Sequence, residues 1–263
     1  MKHSYAVVTG ASSGIGEVFA RRLAEEGYSL ILTARRKERL KQLADELEKN
    51  GTKCEIITAD LSVTEECYRF VEKLSDKTIG VFINNAGFGD CGKFLETDVD
   101  KELKMIDVNI RAVHLLMKLI LRKMEQQHGG YLLNVASSAG LIPAGPYMAT
   151  YYATKNYVAS LTRAVAQELK ESGSSVYVGA LCPGPVDTEF NDVANVKFRL
   201  DGITPEQCVD YALKQMKHKK TLIIPTFTIQ AATTMGRFIP QSLYIRFAGK
   251  QQKRKLGSCA DIR

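Results

Sequence analysis

The sequence lacks several features that would assign it to common functional classes. Among 263 residues there is no tryptophan, and there are four histidines and six cysteines. The cysteines form no Cys-x-x-Cys pair and accompany no histidine cluster, so we expect neither disulfides nor a metal site, a pattern that suits a reducing cytoplasm. No uninterrupted apolar run reaches about 18 residues, which argues against a membrane-spanning helix. The first apolar run begins at Tyr5, which leaves no room for a signal peptide.

The charge surplus is small. Lys and Arg number 36 against 29 Asp and Glu, which gives a formal net charge of +7. Part of the surplus lies in residues 217–220 and 250–255. Such runs are usually solvated faces or tails, and an anionic cofactor would also benefit from a positive field. No aromatic residues are interleaved with these runs, so we expect no nucleic-acid partner.

The chain alternates between strand-like and helix-like segments. Seven apolar runs are typical of strands, at residues 5–9, 28–33, 53–58, 79–83, 130–136, 174–181 and 221–224. Most are separated by helical stretches, among them residues 36–50, 99–127, 151–170 and 205–217. This alternation predicts an α/β fold, a doubly wound parallel seven-stranded sheet with helices on both faces. Without a linker or an internal repeat, residues 1–263 are expected to form a single domain.

A glycine-rich turn follows the first strand. It comprises Gly10, Ala11, Ser12, Ser13, Gly14, Ile15 and Gly16. Glycines permit a tight turn and close backbone approach, and the N-terminus of the next helix offers N–H groups to a pyrophosphate. Taken alone, the turn is explained equally well as a simple strand-to-helix connection.

Two arginines follow the second strand. Arg35 and Arg36 stand there, and no acidic residue precedes Glu38. In a nucleotide-binding fold, an acidic residue at this point holds the ribose 2′-hydroxyl, whereas an arginine accommodates a 2′-phosphate. The alternative is that the arginines belong to a charged first turn of the next helix. Given the preceding loop, we favour NADP over NAD.

Polar residues also follow the third and fourth strands. Asp60 and Leu61 follow one, and the Asn-Asn-Ala-Gly stretch at 84–87 follows the other. Ligands in open α/β sheets lie at these carboxyl ends. The alternatives are a loop start or a helix cap for Asp60 and, for residues 84–87, stabilisation of the sheet edge or an ordinary turn.

Tyr151 and Lys155 are the candidate proton-transfer pair. Four residues apart on a predicted helix, they share one face. A neighbouring ammonium is expected to lower the phenol pKa from about 10, which would give a tuned proton donor. Asn109, a poor helix former in a predicted helix, needs partners. We expect either a bond back to its own helix or a bound water beside the pair.

Together, these motifs resemble the short-chain dehydrogenase/reductase family. In chain order they are Thr9-Gly-x-x-x-Gly-Ile-Gly16, Asn84-Asn-Ala-Gly87, Asn109, a serine after the fifth strand, Tyr151-x-x-x-Lys155 and Pro183-Gly-Pro. The resemblance covers residues 5–188 and extends more loosely to 224. It implies a Rossmann-like sheet of strand order 3-2-1-4-5-6-7 and reversible hydride transfer between NAD(P)H and a carbonyl or alcohol.

The resemblance also implies roles for individual residues. Tyr151 protonates the carbonyl oxygen, Lys155 lowers its pKa and binds the nicotinamide ribose, and Asn109 anchors a water that relays the proton. Arg35 meets the 2′-phosphate, with Arg36 as a second candidate. The other implied cofactor contacts are Gly10, Ser12, Ser13, Gly14, Ile15, Gly16, Asp60, Leu61, Asn84, Ala86, Gly87, Pro183, Gly184, Val186 and Thr188.

The implied catalytic serine has two candidates. The family's usual spacing of thirteen residues before the tyrosine selects Ser138, whereas the Val-Ala-Ser-x-Ala-Gly pattern selects Ser137. A surface loop absorbs one extra residue, whereas a slip in a buried strand turns every side chain to the other face. We therefore favour Ser137.

The substrate end is less determined. Residues at about 187–220 are the expected substrate lid, and their apolar side chains favour a hydrophobic substrate; they are Phe190, Val193, Val196, Phe198 and Leu200. Tyr147, Met148 and Tyr152 are equally compatible with pocket walls and with core packing. The sequence does not choose between a 3-oxoacyl thioester and a steroid-type substrate.

The expected C-terminal extension, at about 226–263, is apolar and then basic. It either packs on the domain, closing the pocket or forming a subunit interface, or makes a peripheral contact with an anionic membrane surface. We favour the first. The resemblance implies a homodimer or homotetramer. The competing function is a non-catalytic NAD(P)-binding sensor, disfavoured because the Asn, Ser, Tyr and Lys are all in place.

Overall fold

The centre of the protein is a parallel sheet. The computed structural model describes residues 4–190, 194 and 202–256. Seven strands pair in the order β3-β2-β1-β4-β5-β6-β7. They are β1 (Tyr5–Thr9), β2 (Ser29–Ala34), β3 (Cys54–Thr58), β4 (Ile79–Asn84), β5 (Tyr131–Val135), β6 (Tyr177–Leu181) and β7 (Leu222–Ile223). The predicted fold class and strand order are confirmed.

Helices connect the strands. They are α1 (Gly14–Glu25), α2 (Lys37–Lys49), α3 (Thr64–Glu72), α4 (Val99–Ile106), α5 (Val113–Gln126), α6 (Ala149–Glu171), α7 (Pro205–Lys217), α8 (Phe227–Met235) and α9 (Gln241–Leu256). A π-helical turn occupies Asp107–Ala112, and 3-10 turns occupy Ser138–Leu141 and Gly236–Phe238.

Side-chain alternation along the strands divides the core into two layers. Ala6 and Val8 pack in one cluster with α1, α2 and α7, whereas Val7 packs in another cluster with α3 and α5. Successive strand residues point to opposite faces, so a parallel sheet covered on both sides needs apolar residues at every position. The carboxyl ends of the central strands therefore remain the polar, ligand-accessible edge.

Local signals define several helix ends. Thr204 caps α7, its hydroxyl accepting from Gln207 N at 3.2 Å while the Gln207 side chain accepts from Thr204 N, and Pro205 occupies the first helical turn. Asp98 caps α4 by accepting from Lys101 N at 2.8 Å. Gly27 follows α1 with a φ of 86°, a conformation that suits glycine.

One predicted helix differs from the structure. The 99–127 helix is interrupted by the π-helical turn that contains Asn109. The later part of the expected lid is helix α7, whose apolar side packs into the core against α1. In the earlier part, Phe190 is described, whereas Val193, Val196, Phe198 and Leu200 lie outside the described residues.

The C-terminal extension forms α8, a 3-10 turn and α9. Within the described part of the chain, no helix has both the length and the apolarity to cross a membrane.

Candidate active site

The glycine-rich turn is shaped for close approach by a ligand. Gly10 and Gly14 have φ values of 65° and 56°. A Cβ on Gly10 would lie 2.8 Å from Asn85 Nδ2. The turn leads into the N-terminus of α1, where the Ser13 side chain makes no capping bond. The first-turn N–H groups thus have no side-chain cap, the arrangement that binds phosphate at a helix start.

The turn is fixed from the neighbouring strand. Asn85 Nδ2 donates to Thr9 O at 2.9 Å and to Gly10 O at 3.3 Å. The Thr9 hydroxyl accepts from the backbone N–H groups of Asn85 and Ala86 at 2.9 and 3.0 Å. Our prediction assigned no role to Thr9, although it stands within a motif that we used, and it expected Asn85 to line the nucleotide site as part of the 84–87 stretch.

Gly16 serves packing. It does not line the cavity described below, and a Cβ there would come within 2.3 Å of Gly10 O. Only glycine lets α1 approach the turn this closely. Its structural position therefore differs from the cofactor contact that we predicted.

Asn84 also lies away from the cavity. It is 2% exposed, and its amide donates to Val113 O at 3.1 Å and to Asn134 Oδ1 at 3.0 Å. Asn134 donates in turn to the Thr162 hydroxyl at 2.9 Å. The Asn84 side chain thus belongs to a buried network that joins β4, β5 and α6, which matches the sheet-stabilising alternative and not a place on the cavity wall. Asn85, Ala86 and Gly87 line the cavity instead.

A cavity of about 570 Å³ follows the carboxyl edge of the sheet. At one end it is lined by the glycine-rich turn, both predicted arginines and the residues that follow β3. The predicted residues on its wall are Gly10, Ser12, Ser13, Gly14, Ile15, Arg35, Arg36, Asp60, Leu61, Ala86, Gly87, Ser137, Tyr151, Lys155, Pro183, Gly184, Val186 and Thr188.

The two arginines differ in their surroundings. Arg36 donates to the hydroxyls of Ser13 at 2.7 Å and Ser12 at 3.2 Å, and it forms an ion pair with Glu189 at 2.9 Å. Exposed Arg35 makes no hydrogen bond or ion pair with the residues that the structure describes. The Asp60 carboxylate accepts from Ser62, and these bonds, with the positive charge of Arg35, hold its pKa below the usual value despite partial burial.

At the other end, Tyr151 and Lys155 lie one turn apart on α6, 8% and 5% exposed. The Lys155 Nζ lies 5.8 Å from the Tyr151 ring centroid and donates to Val135 O at 3.0 Å. Burial raises the pKa of Tyr151, and the hydrogen bond to Ser137 only partly opposes this shift. We predicted a lower tyrosine pKa. Desolvation of the phenolate is the largest cause, and burial also lowers the pKa of Lys155 to about 8.

Of the two serines, Ser137 is the one whose side chain opposes the rise in the Tyr151 pKa. Its hydroxyl also accepts from Ala139 N at 3.1 Å, which caps the 3-10 turn after β5. Ser138 lines the same cavity, and its backbone N–H donates to Pro183 O at 2.8 Å. Ser137 is thus the serine that acts on the Tyr151 phenol, and its catalytic role stays a prediction.

Asn109 joins the π-helical turn to α6. Fully buried, it accepts from Phe88 N at 3.1 Å and donates to Phe88 O at 2.9 Å and to the Thr154 hydroxyl at 3.1 Å. That hydroxyl donates to Tyr151 O at 2.8 Å. The side chain therefore bonds neighbouring segments, not its own helix as one of our two expectations had it.

The substrate end of the cavity is mostly apolar. Phe88, Ile142, Met148, Tyr152 and Phe190 line it, but Tyr147 does not. From the C-terminal extension, Ile229, Ala232, Thr233, Tyr244, Gln251 and Gln252 complete the wall. Gln252 Nε2 donates to the Tyr152 hydroxyl, which holds α9 against α6. Residues of the extension thus line the pocket, as one part of our favoured interpretation predicted.

Comparisons with known proteins agree with this geometry. The model of the short chain dehydrogenase family matches residues 4–197. The chain is 35% identical to the Very-long-chain 3-oxoacyl-CoA reductase of Anas platyrhynchos over 216 residues, 80% of this chain and 68% of that one. A short-chain dehydrogenase from Sphingobium yanoikuyae, solved with NADPH, is 30% identical with a TM-score of 0.82, covering 99% of this chain and 96% of that one. A 7beta-hydroxysteroid dehydrogenase is 25% identical with a TM-score of 0.83, covering 94% and 97%.

Proposed function

The chain belongs to the short-chain dehydrogenase/reductase family, and on that premise we propose that it is an NADP(H)-dependent reductase or dehydrogenase of hydrophobic carbonyls and secondary alcohols. As an oxidoreductase of this family, it binds a nicotinamide cofactor and acts on CH–OH or C=O groups. The observation that carries the proposal is one cavity with an uncapped helix start and Arg35 at one end and Ser137, Tyr151 and Lys155 at the other.

The residues present fit a nicotinamide dinucleotide. The positive φ values and close contacts of Gly10 and Gly14 leave space beside the backbone for a pyrophosphate. Asp60 and Leu61 would frame the adenine. Arg35 would meet the 2′-phosphate, because it is exposed, lines the cavity and forms no ion pair with the residues that the structure describes, although its charge reaches Asp60. When bound, the cofactor supplies or accepts the hydride.

The chain supplies the proton and the positioning. The raised pKa keeps the Tyr151 phenol protonated at neutral pH, so it can donate to a carbonyl oxygen as the carbon is reduced. Ser137, whose side chain lowers the pKa of the same phenol, would hold the substrate oxygen against it. Lys155, held by Val135 O, lines the same cavity and would bind the nicotinamide ribose. Asn109 would act on the site through its bonds to Phe88 and Thr154. We also propose that it anchors the water that relays the proton.

The substrate would be a molecule with a large apolar body. The aromatic and aliphatic wall made by Phe88, Met148, Phe190, Ile229 and Tyr244 supports this. The 7beta-hydroxysteroid dehydrogenase and the very-long-chain 3-oxoacyl-CoA reductase are both named for such substrates. Steroid-type ketones and 3-oxoacyl thioesters are therefore the first candidates.

Two further proposals concern the protein's setting. Four of the described cysteines, Cys54, Cys67, Cys182 and Cys208, are free thiols, which supports a cytoplasmic location. A homodimer or homotetramer formed through the Asn109 and Tyr151 helices is proposed from the family resemblance.

The test is a substrate panel with both cofactors. Purified protein is incubated with NADPH or NADH and with steroid ketones, 3-oxoacyl thioesters and small polar ketones, and cofactor oxidation is followed at 340 nm. We expect turnover of apolar ketones with NADPH, abolished in Tyr151→Phe while NADPH binding persists. Tight NADPH binding without turnover of any carbonyl would favour the sensor. A strict preference for small charged substrates would overturn the hydrophobic assignment.

A further inference from the structure

The positive charge of this protein is concentrated near its C-terminus. Between Asp210 and Asp261 the sequence has no acidic residue and ten basic ones: Lys214, Lys217, Lys219, Lys220, Arg237, Arg246, Lys250, Lys253, Arg254 and Lys255. The other 26 Lys and Arg are outnumbered by the 29 Asp and Glu. The net charge of +7 therefore arises entirely in this segment, and the rest of the chain is slightly acidic.

The same segment exposes large apolar side chains. Phe227 and Phe238 are 81% and 87% exposed, and Met235, Leu243 and Phe247 are 67%, 42% and 56% exposed. Single exposed apolar residues are common, but five along two consecutive helices and the turn between them are a feature of binding surfaces.

Helix α9 has two different sides. Tyr244, Ala248 and Gln252, spaced by four residues, face the protein: Ala248 and Gln252 are 5% and 2% exposed, and Tyr244 and Gln252 line the cavity. Leu243, Phe247 and Lys250 form a neighbouring row one turn apart on the outer side. The inner row accounts for pocket closure and leaves the apolar outer row without a function.

We propose that the outer side of α8 and α9 docks on an anionic lipid bilayer. Exposed phenylalanines insert at the headgroup boundary of such a surface, and flanking Lys and Arg are attracted to its negative potential. Arg246, Lys250 and Lys253 are all exposed beside the apolar row. Docking and pocket closure are then functions of opposite sides of the same helices, not alternatives.

The charge distribution favours a lipid surface over a second copy of the chain. A two-fold interface would bring this basic segment against its own copy without any acidic residue of the segment to pair with it. A nucleic acid would match the charge but would offer nothing to Met235 and Leu243. An anionic bilayer satisfies both the apolar and the basic residues.

The inference goes beyond the proposed reaction and does not depend on it. It does place the docking surface on helices that also form the substrate wall, at Ile229, Ala232 and Tyr244. An apolar substrate dissolved in a bilayer would then be close to the cavity.

The test is co-sedimentation of the full chain with vesicles of phosphatidylcholine alone or with about one third phosphatidylglycerol. We expect binding only to the anionic vesicles at low salt, weakening at least tenfold at high salt because the charges are screened. Phe227→Ser/Phe238→Ser/Phe247→Ser and, separately, Lys250→Gln/Lys253→Gln should each weaken binding about tenfold or more. Tyr68→Ser, which removes a 55% exposed aromatic ring from α3, should bind like the unchanged protein.

Other outcomes would overturn the proposal. They are no binding to anionic vesicles, equal binding to neutral ones, or retained binding by both multiple variants. A dimer in light scattering that the triple serine variant dissociates, without vesicle binding, would identify a second copy as the occupant. Circular dichroism and NADPH binding check that the variants fold; if the triple variant does not fold, the lysine pair and the salt dependence decide. None of these measurements depends on enzyme turnover. They can therefore be interpreted even if the proposed reaction is wrong.

Discussion

Arg36 and Glu189 form an ion pair, at 2.9 Å, between the cofactor end of the cavity and the start of the expected lid. Arg36 simultaneously donates to the hydroxyl of Ser13 in the glycine-rich turn. Arg39 lies 3.3 Å from the other Glu189 oxygen. The hydrogen bond from Arg36 is the largest cause that lowers the pKa of Glu189. A carboxylate therefore already occupies the guanidinium that an anionic ligand would seek.

Glu189→Gln should increase affinity for NADPH without changing affinity for NADH. The carboxylate competes with a 2′-phosphate for Arg36 and repels it. Exposed ion pairs contribute about 0.2–1 kcal/mol, so the KM for NADPH should fall about twofold to fivefold. Steady-state kinetics with both cofactors measure the effect, and Glu65→Gln, an exposed glutamate of α3, is the control. An unchanged or higher KM for NADPH would refute the competition.

Arg35→Ala should weaken NADPH binding at least about tenfold and leave NADH binding nearly unchanged, because a phosphate-specific charge-assisted bond is lost. Fluorescence titration of the two cofactors gives the ratio directly. Arg39→Ala, which removes an exposed arginine already paired with Glu189, is the matched control. Equal loss of both cofactors would mean that Arg35 acts on the fold or on a shared part of the nucleotide.

Ser137→Ala should reduce kcat about a hundredfold or more, whereas Ser138→Ala should remain within a few-fold of the unchanged protein. Removing one hydrogen-bond donor to a reacting oxygen has an effect of this order. The effect of the Ser137 side chain on the Tyr151 pKa is the reason for choosing it. Thermal melts of both variants control for stability. If Ser138→Ala instead lost more kcat than Ser137→Ala, Ser138 would be the catalytic serine.

The sequence was sufficient for the sheet because apolar runs alternate with helical ones, and a parallel sheet buried on both sides requires continuous apolar strands. The sequence also predicted correctly which strand ends lie at the same edge of the sheet. At Asn84 the cofactor contact that we predicted differs from the buried network that the structure shows. Period-two alternation indicates this network, because Asn84 follows Phe82 on the side of β4 that faces α5. Asn85, one residue on, meets the glycine-rich turn.

Other errors had no local signal. The burial of Tyr151 and Lys155 depends on tertiary packing, so spacing alone gave the wrong direction for the tyrosine pKa. Contact between Gln252 and Tyr152 spans 100 residues and involves a glutamine within a basic run. Apolar content predicted that the extension would pack, but only helix orientation revealed its two different sides.

Lys155 carries a buried charge, and we expect this charge to destabilise the folded protein. We attribute its presence to function. Its ordinary pKa of 10.5 falls to about 8 in the folded state through burial. Below pH 8 both states carry the proton, and the folded state bears the cost of the buried ammonium. Between pH 8 and about 10.5 the unfolded state holds more protons, so the free energy of unfolding contributed by this group rises with pH.

Lys155→Met should therefore be more stable than the unchanged protein at pH 7 and should lose activity. The pKa shift corresponds to about 3 kcal/mol, and the lost bond to Val135 O offsets about 1 kcal/mol of it, which leaves a gain of about 1–2 kcal/mol. The advantage should shrink by about 2 kcal/mol between pH 7 and pH 9.5. Urea unfolding at both pH values measures it, with exposed Lys118→Met as the control. The variant could instead be less stable at pH 7, or its free energy of unfolding could vary with pH as in the unchanged protein. Either result would show that the buried Lys155 does not destabilise the fold. The strongest physical reason for regarding Lys155 as functional would then be lost.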